Sequence, residues 1–340
     1  MKCNISEFVV RHYLPGDEYA INDMFNEVFN QKRSIEHWYW KYRDNPYGAH
    51  FISLATDDNG TIAAHYGGYP LRLYNYISGS NPPEITTFHL GDKMTRKQFR
   101  SAGFGASSLL ARTFMHFKET FARDIPFGYG FGTHHSLRFG LLFLGYADVE
   151  KVLYRRVDPK KLNIKKIGRF RELIADIKVN EVNDIDDSWT DFFYRAAPYY
   201  GCLIKRDAAY LKWRYLKRPD RKYLIIAVKN RARLVGWTVF FREVNKVVWG
   251  DAMFMQRDTD CLNSIFSYIQ KHPILEGADF IECWFPNRPY WWDVRLQEIG
   301  FRAETEPNDL RLTGPIFNDQ KAPEILKNNF YYTMGDSDLF

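Results

Sequence analysis

Cysteine is scarce in this chain of 340 residues: four are scattered at positions 3, 202, 261 and 283. Their spacing matches no zinc motif and no disulfide framework, which excludes the small metal-stapled and disulfide-stapled classes. Runs of about 18 apolar residues, the minimum for a membrane-spanning helix, are absent as well. The opening Met1-Lys2-Cys3-Asn4-Ile5-Ser6-Glu7 lacks the apolar core of a signal peptide. These absences make a soluble, cytoplasmic protein with no integral membrane segment the expectation. Charge of one sign does not dominate either. The net charge of +6 is a mild bias toward anionic ligands. A nucleotide cofactor would satisfy it without any nucleic acid. What the chain has in plenty is aromatic residues, 17% of the total, within an apolar fraction of 45%. That supports packed cores, and at about 150 residues per domain the length suggests two of them.

An internal repeat organises the two domains. Trp40-Lys41-Tyr42-Arg43-Asp44-Asn45-Pro46 has a counterpart in Trp213-Arg214-Tyr215-Leu216-Lys217-Arg218-Pro219. Both read W-[KR]-Y-x-x-x-P, and each begins six positions after a helix-capping residue, Ser34 or Asp207. Strand-like runs follow in both, separated by a turn at Asp57-Asp58-Asn59-Gly60 or at Lys229 to Arg233. Leu90-Gly91-Asp92 then recurs as Trp249-Gly250-Asp251, and Leu144-Gly145-Tyr146 as Ile299-Gly300-Phe301. Each copy reads strand, helix, helix, hairpin, long strand, helix, strand, helix. This predicts an α+β fold of two domains, each a mixed, twisted sheet flanked by helices. The boundaries expected are 1–155, a basic linker at 156–174, and 175–340. The linker reads as a solvated connection.

Between an alternating strand pattern (Ile85 to Thr95) and a helical one (Ala106 to Lys118) lies Arg100-Ser101-Ala102-Gly103-Phe104-Gly105. The spacing R-x-x-G-x-G lets a strand turn sharply into a helix whose first amides stay bare. Glycines there allow unusual backbone angles and the close approach of a diphosphate. The helix end and Arg100 supply positive potential. The second copy lacks this loop: after Gly250-Asp251 no glycine stands at either key position, and Asp258 and Asp260 sit where a diphosphate would go.

The segment from Gly91 to Gly105 resembles motif A of the GNAT superfamily of acyl-CoA-dependent N-acyltransferases. The repeat and the opening block, with Gly16-Asp17 and Asp44-Asn45-Pro46-Tyr47-Gly48, resemble that superfamily's tandem-domain branch. The resemblance implies two tandem GNAT-like domains, the second unable to bind CoA. It also implies an N-acetyltransferase using acetyl-CoA, or another acyl-CoA, as co-substrate and no metal. Carried over by position, it implies diphosphate binding by Arg100, Ser101, Ala102, Gly103, Phe104, Gly105 and Ala106. The backbone of Met94 and Thr95 would pair with the pantetheine amides, and an N–H of the same strand would face the developing oxyanion.

The acid and base are less well marked. The superfamily's usual tyrosine position falls near Leu141, which has no hydroxyl, so Tyr146 or Tyr129 is a substitute. On the long strand the titratable candidates are His89 and Asp92, although the recurrence of Asp92 as Asp251 also suits a structural role. Some tandem members use a terminal α-carboxylate as base, which makes Phe340 a further candidate. His134 and His135, in a loop at the carboxyl end of a strand, are candidates for contact with the acceptor. Trp284 and Trp291, in an aromatic run, suit the C–H face of a sugar ring or the packing of a core. The implied reaction is acyl transfer to the amine of a small polar acceptor, such as an amino sugar or nucleotide-sugar. The alternatives are aminoacyl or peptidyl transfer to a cell-wall precursor, and a non-catalytic CoA-binding sensor. Oligomeric state is left open, a homo-oligomer included.

Overall fold

The computed structural model describes residues 5–76, 84–164, 177–258 and 261–340. The chain divides into two compact units. One comprises Met1–Leu73, Ile85–Lys151 and Asn308–Asn328; the other comprises Tyr74–Glu84, Val152–Pro307 and Asn329–Phe340. Both are mixed α+β structures, as the repeat predicts.

In the first unit the strands are β1 (Val9–His12), β2 (Ile52–Thr56), β3 (Ile62–Asn75), β4 (Glu84–Thr95), β5 (Gly128–Gly132) and β6 (Tyr146–Lys151). The helices are α1 (Asp17–Phe29), α2 (Ile35–Tyr42), α3 (Leu109–Phe121) and α4 (His134–Phe143). The apolar stripe of α1 buries Ile21 and Met24 with Trp38 and Tyr42 of α2 against Ile52, Leu54, Ile62 and Met94. Helix α3 places Ala111, Phe114 and Phe117 with Tyr66, Phe88 and Leu90 in another core cluster. Helix α2 starts where expected, because the Ser34 side chain accepts a hydrogen bond from the His37 amide.

The second unit contains β7 (Tyr154–Val157), β8 (Ile177–Glu181), β9 (Cys202–Ile204), β10 (Leu224–Asn230), β11 (Arg233–Arg242), β12 (Lys246–Phe254), β13 (Phe280–Trp284) and β14 (Arg302–Glu304). Its helices include α5 (Ser188–Ala196), α6 (Ala208–Leu211), α7 (Cys261–Ile269) and α8 (Tyr290–Ile299). Trp249 anchors the core, with Phe266, Phe285, Trp292 and Phe301 at ring-centroid distances of 4.7–6.0 Å.

Two late strands complete the picture: β15 (Arg311–Pro315) and β16 (Phe330–Tyr331), with α9 (Ala322–Asn329) between them. Strand β15 belongs to the first unit, whose order is β1-β2-β3-β4-β5-β15-β6. It lies antiparallel between β5 and β6, with Thr313 paired to Gly130 on one side and to Asp148 on the other. The order in the second unit is β8-β10-β11-β12-β13-β7-β14, with Arg155 of β7 opposite both Cys283 and Ala303. The two orders correspond strand for strand, and each unit draws its sixth strand from the other half of the sequence.

The division therefore departs from boundaries at 155 and 175. Residues 308–328 complete the first sheet, while Tyr154–Val157 are already a strand of the second. Strand pairing is non-local, so a period-2 pattern does not say which sheet a strand joins. Within the basic stretch, Arg155 is buried against Asp293 and Arg156 pairs with Glu304 at 2.7 Å. Residues 165–174 of the expected linker lie outside the described residues.

Candidate functional site

The R-x-x-G-x-G loop ends a short 3₁₀ turn at Lys97–Phe99 and leads into a second at Gly105–Ser107. Helix α3 starts three residues later than its apolar pattern predicts. Ser108 caps it, its side chain accepting from the Ala111 amide at 3.4 Å. Gly103 has φ +75° and Gly105 φ +59°, angles costly for residues with a Cβ. A Cβ on Gly103 would sit 2.3 Å from the Ser107 carbonyl oxygen, so the tight turn depends on glycine there. Of the amides in the loop, Ala102 donates to Phe99 O and Phe104 to Ser107 Oγ. Among the described residues, those of Ser101, Gly103, Gly105 and Ala106 meet no protein acceptor, nor do those of Leu109 and Leu110. Bare amides at a helix N-terminus are a ready-made anion cradle. The Phe104 ring, 89% exposed, points away from any core.

A cavity of about 380 Å³ adjoins this loop. It is lined by Lys93, Met94 and Thr95 of β4, by Phe99, Arg100 and Ala102, by Ser108 to Leu110, and by Val28, Phe29 and Phe139. Six of the residues expected for the cofactor thus stand at or beside one opening: Met94, Thr95, Arg100 and Ala102 on its wall, Gly103 and Gly105 in the adjoining turn. The Arg100 Nε donates to Thr95 O at 3.1 Å, which sets its guanidinium at the rim. Two depressions on the second unit are larger, about 590 Å³ each, yet neither adjoins a glycine turn with bare amides. Volume alone would mislead here. On the sheet, among the described residues, β4 pairs in parallel with β5 at Phe88/Gly128 and His89/Tyr129. On its other edge β5 pairs with β15, through Gly130, Phe131 and Gly132.

Asp92 sits just past the β4–β5 pairs with φ +53°, a positive angle on a non-glycine residue. Its carboxylate accepts from Arg33 and, at 2.9 Å, from Lys41, and all three side chains are 5% exposed or less. Burial works to raise the carboxyl pKa, but the charges of Arg33 and Lys41 outweigh it and hold the group well below the usual carboxylate range. The Asp92 carbonyl accepts from His65 Nδ1 at 2.7 Å. Burial, opposed by Asp92 and reinforced by Arg33 and Lys41, lowers the His65 pKa to about 4. The same design recurs in the second unit. Arg206 pairs with Asp251 at 3.1 Å and with Asp336 at 2.7 Å, both partners fully buried. Asp92 is thus placed as a structural anchor, which suits its recurrence. His65 and Arg33 were not singled out from sequence, although Arg33-Ser34 and Arg206-Asp207 hold equivalent positions in the repeat.

His89 is buried, stacked on Tyr69 at 4.8 Å and edge-on to Tyr129 at 5.3 Å. Two of the acid–base candidates, His89 and Tyr129, are therefore neighbours at the last β4–β5 pair. Tyr146 is buried, its hydroxyl 2.6 Å from that of Tyr66 and its ring 4.9 Å from the Lys93 ammonium. Leu141 is exposed on α4. His134 and His135 open α4, and their side chains lie outside the described residues. Trp284 is buried in the second unit, where it offers no free face to a sugar, and Trp291 stands edge-on to Tyr200 at 5.3 Å. Phe340 is held within the second unit, its ring 5.0 Å from that of Tyr223. Its carbonyl oxygen accepts from Arg214 at 2.6 Å and from Arg218. An oxygen held by two guanidinium groups is a poor base, because both favour its unprotonated form. Among the described residues no group of three or more His, Cys, Asp or Glu side chains is placed to hold a metal. No described helix is long and apolar enough to cross a membrane.

No family model matches the chain, and no curated protein matches it by sequence. Solved structures do. A GCN5-related N-acetyltransferase from Anabaena variabilis superposes with a TM-score of 0.64 at 12% identity, covering 90% of this chain and 72% of that one. Eis1 from Mycobacterium abscessus gives 0.58 at 9%, covering 92% and 74%. Saccharomyces cerevisiae N-myristoyltransferase, solved with myristoyl-CoA bound, gives 0.55 at 10%, covering 91% and 82%. At such identities the likeness concerns the fold: over nine-tenths of its length, this chain is built as the GCN5-related N-acetyltransferases are.

Proposed function

We propose that the first unit binds an acyl-CoA and transfers its acyl group to an amine. The observation that carries this reading is the set of bare amides at Ser101, Gly103, Gly105 and Ala106, beside a cavity walled by Lys93, Met94 and Thr95 of β4. The amides and Arg100 would hold the diphosphate, and the cavity would take the pantetheine arm along Met94 and Thr95. The fold shared with a structure solved as an N-acetyltransferase, and with an N-myristoyltransferase solved with myristoyl-CoA bound, supports the same reading. Direct attack by an amine on a thioester needs positioning, an oxyanion donor and a place for one proton, and no covalent intermediate on the protein. The reaction therefore requires no nucleophilic cysteine. Cys202 and Cys283 are buried, and burial raises the Cys202 thiol pKa to about 12 and that of Cys283 further still.

The acceptor class we propose is a small polar amine, with amino sugars and nucleotide-sugars to be tried first and acetyl as the acyl group. Thiol release from acetyl-CoA across a panel of amines tests this. Release that depends on one amine class, with the acylated amine found by mass spectrometry, is the expected result. Amide formation only from aminoacyl or peptidyl donors, with no thiol released from acetyl-CoA, would favour transfer to a cell-wall precursor. Tight CoA binding with no release from any amine would favour a sensor.

A further inference from the structure

The cavity beside the glycine turn is lined by two basic side chains and no acidic one: Arg100 at the rim and Lys93 farther along β4. Its β4 wall runs from Thr95 through Met94 to Lys93, the wall residue farthest along the strand from the turn. Lys93 is half-buried, and among the described residues no carboxylate pairs with it. Two other half-buried lysines do have one: Lys205 stands 3.2 Å from Glu84, and Lys246 stands 2.7 Å from Glu282. A cation drawn partly out of water without a counter-charge is unfavourable unless a ligand supplies the charge.

Tyr146 holds the ammonium in place. Its ring lies 4.9 Å from Lys93 Nζ, within range of attraction to the ring face, while its hydroxyl is engaged 2.6 Å from that of Tyr66. The ring packs on α4 at Gly140, where a Cβ would stand 2.7 Å from it. Phe139, the residue before, lines the cavity together with Lys93. Leu141, the residue after, stands where the resemblance expects a tyrosine. The lysine thus carries a charge from β4 to the α4 side of the cavity. The internal repeat supplies a control. Asp92 matches Asp251, so Lys93 matches Ala252; Gly145 matches Gly300, so Gly140 matches Arg295. The unit without the glycine turn has neither the cation nor the glycine that seats the ring beneath it.

We propose that the Lys93 ammonium stabilises the negative charge on the CoA sulfur as the thioester breaks. This rests on reading the first unit as an acyl-CoA-dependent N-acyltransferase. With the diphosphate on the turn and the pantetheine arm along Thr95 and Met94, the thioester comes to the Lys93 end of the wall. The amine lone pair forms the new C–N bond, and the C–S bond breaks with its electron pair leaving on sulfur. The nitrogen gives its proton to solvent. The products are an amide and a thiolate, which leaves paired with the ammonium and is protonated in water after release. No proton passes through Lys93, so the reaction balances without a tyrosine acid, which accounts for Leu141. A fixed cation in a cavity walled from water acts more strongly on that charge than one in solvent.

CoA itself, with its free thiol, is the probe, because the thiolate absorbs in the far ultraviolet far more strongly than the thiol. The bound thiol is titrated with pH, with the desulfo-CoA complex as blank. It should be about 10- to 10³-fold more acidic in the wild type than in Lys93→Ala, which installs the second unit's own residue. Lys93→Arg should keep most of that gain, since a guanidinium is also a cation. Turnover of acetyl-CoA with the best amine of the panel should fall by about 10²- to 10³-fold in Lys93→Ala, with acetyl-CoA affinity and cooperative unfolding retained. Equal thiol acidity in the wild type and Lys93→Ala would overturn the proposal. If that variant fails to fold, the wild type decides: a bound thiol no more acidic than that of free CoA overturns it as well. A wild-type protein that binds no CoA would instead sink the acyl-CoA reading, before any variant is made.

Discussion

Asp92 is where a catalytic and a structural role give opposite results. Its carboxylate is 3% exposed and faces two cations, Arg33 and Lys41, at 5% and 3% exposure. Asp92→Asn removes the negative charge and leaves both cations buried without it. Breaking a buried pair from one side costs about 3–5 kcal/mol, because the orphaned charge stays out of water. For a unit of this size, each kcal/mol lowers Tm by about 2–4 °C, so the drop should be roughly 6–20 °C. The control is Asp44→Asn. Asp44 pairs with Arg43 at 2.7 Å, but the partners are 43% and 49% exposed, so the loss should stay below about 1 kcal/mol. Thermal unfolding followed by circular dichroism reads both, and calorimetry reads CoA affinity below the transition. An Asp92→Asn protein as stable as the Asp44→Asn control would refute the reasoning. Lost turnover at unchanged Tm would make Asp92 part of the chemistry instead.

Three further outcomes follow from the same geometry. A fragment of residues 1–155 lacks β15, the strand between β5 and β6; it should show no cooperative thermal transition, and a sharp one would show that the first sheet closes without it. Acetyl-CoA should bind at one site per chain by calorimetry, because the second unit has no equivalent of the glycine turn; two sites would show otherwise. His65, lowered from 6.5 to about 4 in the folded state, binds its proton more readily when unfolded. Its contribution to stability is therefore complete above pH 6.5 and is lost as pH falls toward 4, by about 3 kcal/mol in all. Urea unfolding across that range should show this slope in the wild type and a weaker one in His65→Thr; equal slopes would contradict the assignment.

The features legible in the sequence are local ones. Gly103 and Gly105 stand out because a turn with positive φ leaves few alternatives to glycine, and the W-[KR]-Y blocks stand out because the two copies share them. Helix α3 starts three residues beyond the point its pattern predicts, because Ala106 and Ser107 are compatible with a helix, whereas the Ser108 side chain caps it at Leu109. What was hidden depends on contacts distant in sequence. Arg33, Lys41 and Asp92 are up to 59 residues apart, and only the matching positions of Arg206, Arg214 and Asp251 hinted that they form one cluster. The exchange of β7 and β15 between sheets was invisible, since a short strand reads alike in either. Phe340 shows the hazard of carrying a role over by resemblance: the tail was read for its chemistry, while Arg214 and Arg218 hold its oxygen.

The claim on which the rest depends is that the turn from Arg100 to Ala106 holds the CoA diphosphate. Gly103→Ala tests it with a single methyl group. The change imposes about 1–2 kcal/mol of left-handed strain and drives a Cβ to 2.3 Å from the Ser107 carbonyl oxygen, which no side-chain rotation can relieve. The turn must open, and with it two or more charge-assisted hydrogen bonds are lost at about 1.5–3 kcal/mol each. Calorimetric titration with acetyl-CoA should show a single site in the wild type and a Kd raised roughly 10²- to 10⁴-fold in the variant, with cooperative unfolding kept. An unchanged Kd in Gly103→Ala would contradict the account at its base.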